Sequence, residues 1–309
     1  MEMFTTMITP YKADGSVDYE TAEKYVDFYY NAGLQGIFSV CQSSEIFFLT
    51  LEERVELNKR VYARAKELER QGGREFTVVS SGHISDTIED QAKELAAVYE
   101  SGTDALILIT NRLDPENLGD DVFLENLEKL LALLPKDAKL GFYECPYPYK
   151  RLVTPRILEY CKNSSRFYYM KDTCCDAKLI AERIKLLEDS CFKLLNANCQ
   201  TLLESIRSGA HGYCGIMCNY HPRLYAHLAE NYESADADKL QALIGPLGYT
   251  EAGIPYPLSA KYHMTLSGIE TNLITRNPAC RALTDYDKSS IRQMKLITDE
   301  AERALGYGG

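Results

Sequence analysis

The sequence predicts an α/β fold, a (β/α)8 TIM barrel followed by a C-terminal helical extension. Short apolar runs alternate with longer amphipathic stretches in eight strand–helix steps over about the first 220 residues, and a barrel of this kind closes with eight such steps. A doubly wound sheet shows the same alternation, but it usually carries a glycine-rich turn after its first strand. Here the first strand runs into Thr9-Pro10-Tyr11-Lys12, which favours the barrel.

The eight predicted strands are short apolar runs, and the predicted helices follow the 3.6-residue period. The strands cover residues 5–8, 36–40, 76–80, 105–109, 140–143, 167–170, 192–195 and 212–216. The intervening helices cover 19–31, 51–70, 86–101, 122–134, 155–161, 177–188 and 200–208. After residue 219 the alternation stops, and 221–232, 235–244, 257–268 and 286–305 have helical patterns. We therefore expect a barrel over residues 1–220 and helices packed on it over 221–309.

Composition and charge narrow the class of partner. The net charge of −11 argues against binding to nucleic acid or to an anionic membrane surface. No apolar run approaches the ~20 residues of a membrane span, and the N-terminus lacks a signal-peptide pattern. The ten cysteines are scattered without the spacing of a zinc site. We expect a cytoplasmic protein with no metal and no cofactor, acting on a small molecule.

Lys171 directly follows the apolar run at 167–170, so it stands at the end of the sixth strand, where active sites of such barrels lie. Burial disfavours the ammonium form and lowers a lysine pKa, and a neutral lysine amine forms Schiff bases with carbonyl compounds. The ordinary alternative is a lysine that reaches solvent from a strand end. Tyr143 ends the preceding strand, and adjacent strands lie ~4.8 Å apart. The two side chains are therefore predicted to share one pocket, where the phenol moves protons, although a rim aromatic is the ordinary alternative for Tyr143.

Other strand ends supply candidate substrate-binding residues. Ser43 and Ser44 begin the turn after the second strand, where hydroxyl and N–H groups bind a carboxylate or simply cap the turn. Arg112 follows the fourth strand and pairs either with an acidic substrate or with surface carboxylates. The remaining candidates at strand ends are Gln42, Thr173 and Cys214.

With these residues in place, the sequence resembles the dihydrodipicolinate synthase / N-acetylneuraminate lyase family of Schiff-base-forming lyases. The resemblance covers roughly residues 4–300. It is carried by the opening at 5–18, Gly33-Leu34-Gln35-Gly36-Ile37, the turn Ser43-Ser44-Glu45 with Leu49-Thr50 and Glu53-Arg54, Tyr143 with Pro146, Lys171, the segment 209–212, Lys261, Gly268 and Arg276-Asn277-Pro278.

The resemblance implies an activity and roles for the candidate residues. Lys171 would form an imine with a 2-keto acid, commonly pyruvate, and Tyr143 would relay protons. Ser43 would bind the keto acid's carboxylate, and Cys214 would offer a backbone contact. Family members are usually homotetramers built of dimers, so we expect a homotetramer or a dimer.

The sequence departs from the family pattern on the side of the second substrate. Gln42 replaces the hydroxyl residue of the proton relay, Arg112 stands where a tyrosine crosses between subunits, and Pro148 stands where synthases carry an arginine. We therefore expect a carbon–carbon lyase or aldolase whose second substrate the sequence leaves open. A dehydratase of a keto-deoxy sugar acid, and a non-catalytic keto-acid-binding protein, are the alternatives.

Overall fold

Eight parallel strands close into a barrel in the order of the sequence, as predicted. The structure is a computed structural model and describes residues 1–307. The strands are β1 (Glu2–Thr6), β2 (Gly36–Phe38), β3 (Thr77–Ser80), β4 (Ala105–Ile109), β5 (Leu140–Tyr143), β6 (Phe167–Asp172), β7 (Lys193–Asn196) and β8 (Gly212–Gly215). Because β8 pairs with β1, the sheet has no free edge.

Helices surround the barrel and extend beyond it. They are α1 (Tyr19–Asn31), α2 (Leu51–Gly72), α3 (Ile88–Glu100), α4 (Asp120–Leu133), α5 (Pro155–Ser164), α6 (Ala177–Leu187), α7 (Leu202–Arg207), α8 (Pro222–Asn231), α9 (Ala237–Ala252), α10 (Leu258–Leu266) and α11 (Asp285–Ala304). No helix within residues 1–307 combines the length and the apolar character that crossing a membrane requires.

Several element boundaries differ from the prediction. β1 spans Glu2–Thr6 instead of 5–8, because Glu2–Thr5 pair with β8, and β2 ends at Phe38 rather than at residue 40. β6 continues through Lys171 to Asp172 because these residues still pair with Leu195 and Asn196 of β7. α9 continues through Pro246, where the sequence predicts an end, and its later residues Leu247, Gly248 and Glu251 are buried. Tertiary burial therefore outweighs the local cost of proline within a helix.

The C-terminal helices pack on the barrel and on one another. α8 contacts β1, α9 and α11, and α10 contacts α11. α8 thus takes the place of the eighth barrel helix and also joins the C-terminal helices. The division of the chain at residue 220 stays a prediction.

The barrel interior is closed by its own side chains rather than open as a channel. Phe4, Phe38, Ile107 and Leu195 belong to one buried cluster inside the barrel. Tyr143 and Cys214 belong to the same cluster at the carboxyl ends of the strands. Polar side chains at the carboxyl end of the barrel therefore lie on top of packed apolar side chains.

Candidate active site

The register of β5 and β6 places Tyr143 beside Lys171. These two residues are paired across the strands, one position before Glu144 and Asp172 respectively. Successive side chains of a strand point to opposite faces of the sheet. Tyr143 accordingly packs in the barrel interior, whereas Glu144 contacts Arg183 of the outer helix α6. The predicted neighbourhood of the amine and the phenol is present in the structure.

Lys171 is enclosed but not sealed, since 8% of the residue is exposed. Its Nζ atom lies 4.1 Å from the centroid of the Tyr143 ring and 5.8 Å from that of Phe38. Within residues 1–307, no carboxylate oxygen lies within 4.0 Å of this atom. The amine therefore faces aromatic rings and the cavity, and no ion pair occupies it.

The Tyr143 hydroxyl donates a hydrogen bond to Gln42 Oε1 at 3.0 Å. Its ring packs edge-on against Phe38, with 5.7 Å between centroids. Burial raises the pKa of Tyr143 well above its usual value of 10, because a phenolate is poorly solvated there. Tyr143 is therefore a neutral phenol, fixed in position by one hydrogen bond and one aromatic contact.

A cavity of about 660 Å³ opens above this pair at the carboxyl end of the barrel. This volume lies within the usual range for small-molecule sites. The cavity is lined by Gln42, Ser43, Glu45, Phe47, Phe48, Tyr143, Pro146, Tyr147, Lys171, Thr173, Ile216, Tyr256, Pro257, Asn277, Pro278 and Ala279.

Five of the eight predicted site residues line this cavity. They are Gln42, Ser43, Tyr143, Lys171 and Thr173. The Ser43 hydroxyl bonds Thr6 Oγ1 at 3.0 Å, and the Thr173 hydroxyl donates to the Glu144 carbonyl at 2.8 Å. Both hydroxyls are thus partly engaged within the protein.

The other three predicted residues do not line the cavity. The Ser44 hydroxyl is buried and donates to the backbone carbonyls of Met7 and Ser39. Cys214 is packed inside the barrel. The Arg112 guanidinium lies over the Phe47 ring at 5.6 Å and pairs with Asp86 at 3.3 Å, so it backs the cavity wall.

A buried ion cluster behind β5 and β6 was missed by the sequence analysis. Arg183 of α6 pairs with Glu144 at 2.8 Å and also with Asp172. Glu144 additionally accepts the N–H groups of Val153 and Thr173 at 2.8 and 2.9 Å. Burial raises the pKa of Glu144, although Arg183 opposes this effect. The cluster fixes the strand ends that carry Tyr143 and Lys171.

A second missed element closes the opposite side of the cavity. Glu45 adopts a left-handed backbone conformation at φ 61°. Its carboxylate accepts the N–H groups of Arg276 and Asn277 at 2.8 and 3.2 Å. It also pairs with the fully buried Lys261 at 3.3 Å. Glu45 therefore ties the segment 275–279 over the barrel mouth.

Lys261 is the other buried amine near the cavity. Burial lowers its pKa to about 8, although Glu45 opposes this shift. Its Nζ atom contacts Glu45 and the Ile274 carbonyl and lies 4.4 Å from the Tyr11 ring centroid. Because Lys261 does not line the cavity, its geometry indicates a structural ion pair.

The sequence offers a partial signal for these elements. Glu45, Lys261 and the segment 276–278 lie in motifs of the family resemblance, but their mutual contacts join residues more than 200 positions apart. Within residues 1–307, no group of three His, Cys, Asp or Glu side chains is arranged to hold a metal ion.

Comparisons with known proteins indicate the family of the chain. The model of the dihydrodipicolinate synthetase family matches residues 1–68 and 148–296. A 4-hydroxy-tetrahydrodipicolinate synthase of Haloarcula marismortui is 24% identical over 97% of this chain and 94% of its own length. A dihydrodipicolinate synthase structure from Bacillus anthracis superposes with a TM-score of 0.83 at 17% identity, covering 96% of this chain and 97% of that one.

A further structural neighbour is a prophage protein of the dihydrodipicolinic acid synthase family from Escherichia coli K12, solved in complex with pyruvate. Its TM-score is 0.80 at 16% identity, and the alignment covers 96% of this chain and 98% of that one. At these identities the structural likeness concerns the fold. The family model, in contrast, matches most of the chain. The chain belongs to the dihydrodipicolinate synthetase family.

Proposed function

We propose that the protein is an imine-forming carbon–carbon lyase or aldolase that acts on a 2-keto acid, with pyruvate as the simplest member. The observation that carries this proposal is the Lys171 amine beside the Tyr143 phenol at the base of an open cavity. The curated relative that covers nearly the whole chain is a synthase, and the Escherichia coli neighbour was solved with pyruvate.

The chemistry begins at Lys171. In the proposed reaction the amine, reacting in its unprotonated form, adds to the ketone carbon of the keto acid and forms a carbinolamine, which loses water to give an imine. In this proposal the Tyr143 hydroxyl delivers the proton that the departing hydroxide takes up, and recovers a proton afterwards. Loss of a proton from the neighbouring carbon then gives an enamine, the nucleophile that forms the new carbon–carbon bond. Cleavage follows the same steps in reverse.

The turn at 42–44 is the proposed site of the keto acid's carboxylate. Ser43 lines the cavity, and within residues 1–307 its backbone N–H has no hydrogen-bond partner. An unpaired amide and a hydroxyl in a turn suit an anion. Thr173 and Gln42 are proposed to complete the wall around the bound acid. The predicted backbone contact of Cys214, and a direct role for Arg112, stay predictions.

Trapping with borohydride tests the proposal. The protein is incubated with pyruvate, reduced, weighed by mass spectrometry and mapped by peptide sequencing. We expect one reduced pyruvyl group on Lys171 and none in a Lys171→Met variant. Lys150→Met is the matched control, because Lys150 is an exposed lysine that does not line the cavity and donates to the Thr173 carbonyl at 2.7 Å; this variant keeps the adduct.

Two outcomes would overturn the proposal. One is the absence of an adduct with pyruvate and with other small 2-keto acids. The other is an adduct on Lys261, the competing buried amine whose pKa is about 8, since the chemistry would then use an amine that does not line this cavity.

A non-catalytic keto-acid-binding role is the second candidate. It is favoured by the Tyr143 hydroxyl donating to Gln42 Oε1, because an amide oxygen only accepts and cannot pass a proton on. An adduct on Lys171 without turnover of any acceptor would support this role. A dehydratase that expels water through the same imine would be recognised by a product that lacks one water molecule relative to its substrate.

Assembly and location belong to the same proposal. We expect a homotetramer or a dimer, which light scattering after size-exclusion chromatography measures directly. The expectation of a cytoplasmic location is tested by fractionating cells that express the protein at its natural level.

A further inference from the structure

Aromatic side chains form the outer wall of the cavity. The Phe47 and Tyr147 rings lie 4.9 Å apart between centroids and are tilted by 60°. Tyr147 is 55% exposed and the neighbouring Phe48 is 40% exposed, so this wall stands at the mouth. Large apolar side chains left open at a cavity mouth are available to a ligand.

Arg112 fixes this wall from behind. Its guanidinium lies over the Phe47 ring, and its side chain is only 13% exposed. Asp86, its ion-pair partner, is 93% exposed at the side chain. A cation over an aromatic face is attractive, so Arg112 holds the Phe47 ring while staying outside the cavity.

The side-chain oxygens of the cavity that accept hydrogen bonds are mostly engaged within the protein. Gln42 Oε1 accepts from Tyr143, the Thr173 hydroxyl donates to a backbone carbonyl, and Asn277 Oδ1 accepts the N–H of Ala279. The Glu45 carboxylate is engaged by Lys261 and the segment 275–277. The hydroxyl hydrogens of a polyol ligand would therefore find few free acceptors, and a buried polar group without a partner is costly.

Cations are also scarce in the cavity. Among its lining residues, all within the part of the chain that the structure describes, Lys171 is the one lysine or arginine. Imine formation consumes that amine. A second carboxylate on the acceptor would therefore lack a counter-charge and meet Glu45 instead.

Resting on the proposed function, we propose that the second substrate is an aromatic aldehyde whose ring packs on the wall formed by Phe47 and Tyr147. The enamine carbon bonds to the aldehyde carbon, and the carbonyl electron pair moves to the aldehyde oxygen, which takes one proton. The enamine nitrogen becomes an iminium, and water hydrolyses it. The amine of Lys171 is restored and a 4-hydroxy-2-keto acid with an aryl group at C4 is released.

The test compares three acceptors with pyruvate as the donor: benzaldehyde, glyceraldehyde and succinic semialdehyde. The product acid is quantified by mass spectrometry at several acceptor concentrations. We expect kcat/KM for benzaldehyde to exceed that for the other two by about tenfold or more, because hydrophobic pocket contacts discriminate by about 10–200-fold.

Variants of the wall test the assignment to these residues. Tyr147→Ala removes an exposed ring, and Phe47→Leu keeps an apolar side chain of similar size, so both are expected to fold. Each should lower kcat/KM for benzaldehyde by about tenfold or more and change the value for glyceraldehyde less than about threefold. Tyr286→Ala is the matched control, an 81% exposed tyrosine on α11, and should leave both values unchanged.

The outcomes separate this inference from the proposed function. If borohydride traps no keto acid on Lys171, the proposed function fails first. If the adduct forms but glyceraldehyde or succinic semialdehyde is preferred, this inference alone is overturned. If the adduct forms and none of the three aldehydes is accepted, this inference is overturned and the non-catalytic keto-acid-binding role is favoured. Equal losses for all acceptors in the Tyr147 and Phe47 variants would also overturn it, since the rings would then act only on folding.

Discussion

Replacing Arg183 by methionine is expected to destabilise the protein strongly. Arg183, Glu144 and Asp172 are almost wholly buried, with side-chain exposures of 2%, 0% and 0%. Methionine fills similar space but removes the charge that both carboxylates face. Breaking a buried ion pair by removing one partner costs about 3–5 kcal/mol, because an uncompensated charge is left inside.

The cost translates into a measurable shift of the melting temperature. Unfolding entropy of about 2.1 cal/mol/K per residue gives about 0.65 kcal/mol/K for a chain of this length. The Arg183→Met variant should therefore melt about 5–8 °C below the parent protein at pH 7.5. Differential scanning calorimetry, or circular dichroism at a fixed scan rate, measures the difference.

The same shift should depend on pH. Without Arg183, burial beside the Asp172 carboxylate raises the folded-state pKa of Glu144 further above its unfolded value. A group with a raised folded pKa favours folding below its unfolded pKa, and this contribution is lost as pH rises through the folded pKa. The melting difference between variant and parent should therefore narrow as pH falls from 7.5 to 5.

Arg156→Met is the matched control for this prediction. Arg156 pairs with Asp121 at 2.7 Å, but the two side chains are 59% and 86% exposed. Exposed pairs contribute about 1 kcal/mol or less, so the control should melt within about 1.5 °C of the parent. If Arg183→Met melts as Arg156→Met does, or if its deficit grows toward pH 5, the cluster does not act as described.

Three further predictions concern single residues. Tyr143→Phe should lower kcat by about 10²–10⁴-fold, because it removes the hydroxyl to which the proposed function assigns general acid–base catalysis; a kcat within threefold of the parent in a coupled assay would contradict this. His83 donates through Nδ1 to Gln91 and accepts the Ile109 N–H through Nε2, and burial lowers its pKa to about 4. Between pH 6.5 and 4 the unfolded chain therefore binds a proton on His83 that the folded chain does not bind. The melting temperature should fall as pH is lowered over this range, and less steeply in His83→Gln. Glu45→Gln should lower the melting temperature more at pH 7 than at pH 9, because at pH 9 the Lys261 amine, with a pKa of about 8, is largely neutral. An equal lowering of the melting temperature at both pH values would count against the ion pair.

Part of the candidate active site was predictable because it depends on order along the chain. Lys171 and Tyr143 end consecutive strands, and adjacent parallel strands bring such ends together. That argument needs only the strand pattern, and the structure bears out the neighbourhood of the two side chains. Ser43 and Gln42 follow from the same rule at the end of β2.

The strand pattern does not determine the direction of each side chain, and three of the predicted site residues do not line the cavity. Ser44 follows Ser43 directly, yet its hydroxyl is directed at the Met7 carbonyl rather than the cavity. Arg112 stands at a strand end but lies behind Phe47. A strand-end position fixes where the Cα atom lies, whereas packing fixes where the side chain goes.

The alternation of strands and helices, the eight repeated units and the placement of one amine beside one phenol follow from the amino-acid sequence. They depend only on hydrophobic periodicity and on which strands are neighbours in chain order. The tertiary structure alone decided which charges meet. Arg183 meets Glu144 across 39 positions and Lys261 meets Glu45 across 216, and no local pattern encodes such partners. It also decided that Phe47 and Tyr147 form one wall, since only closing the barrel brings the loops after β2 and β5 to the same side of the mouth.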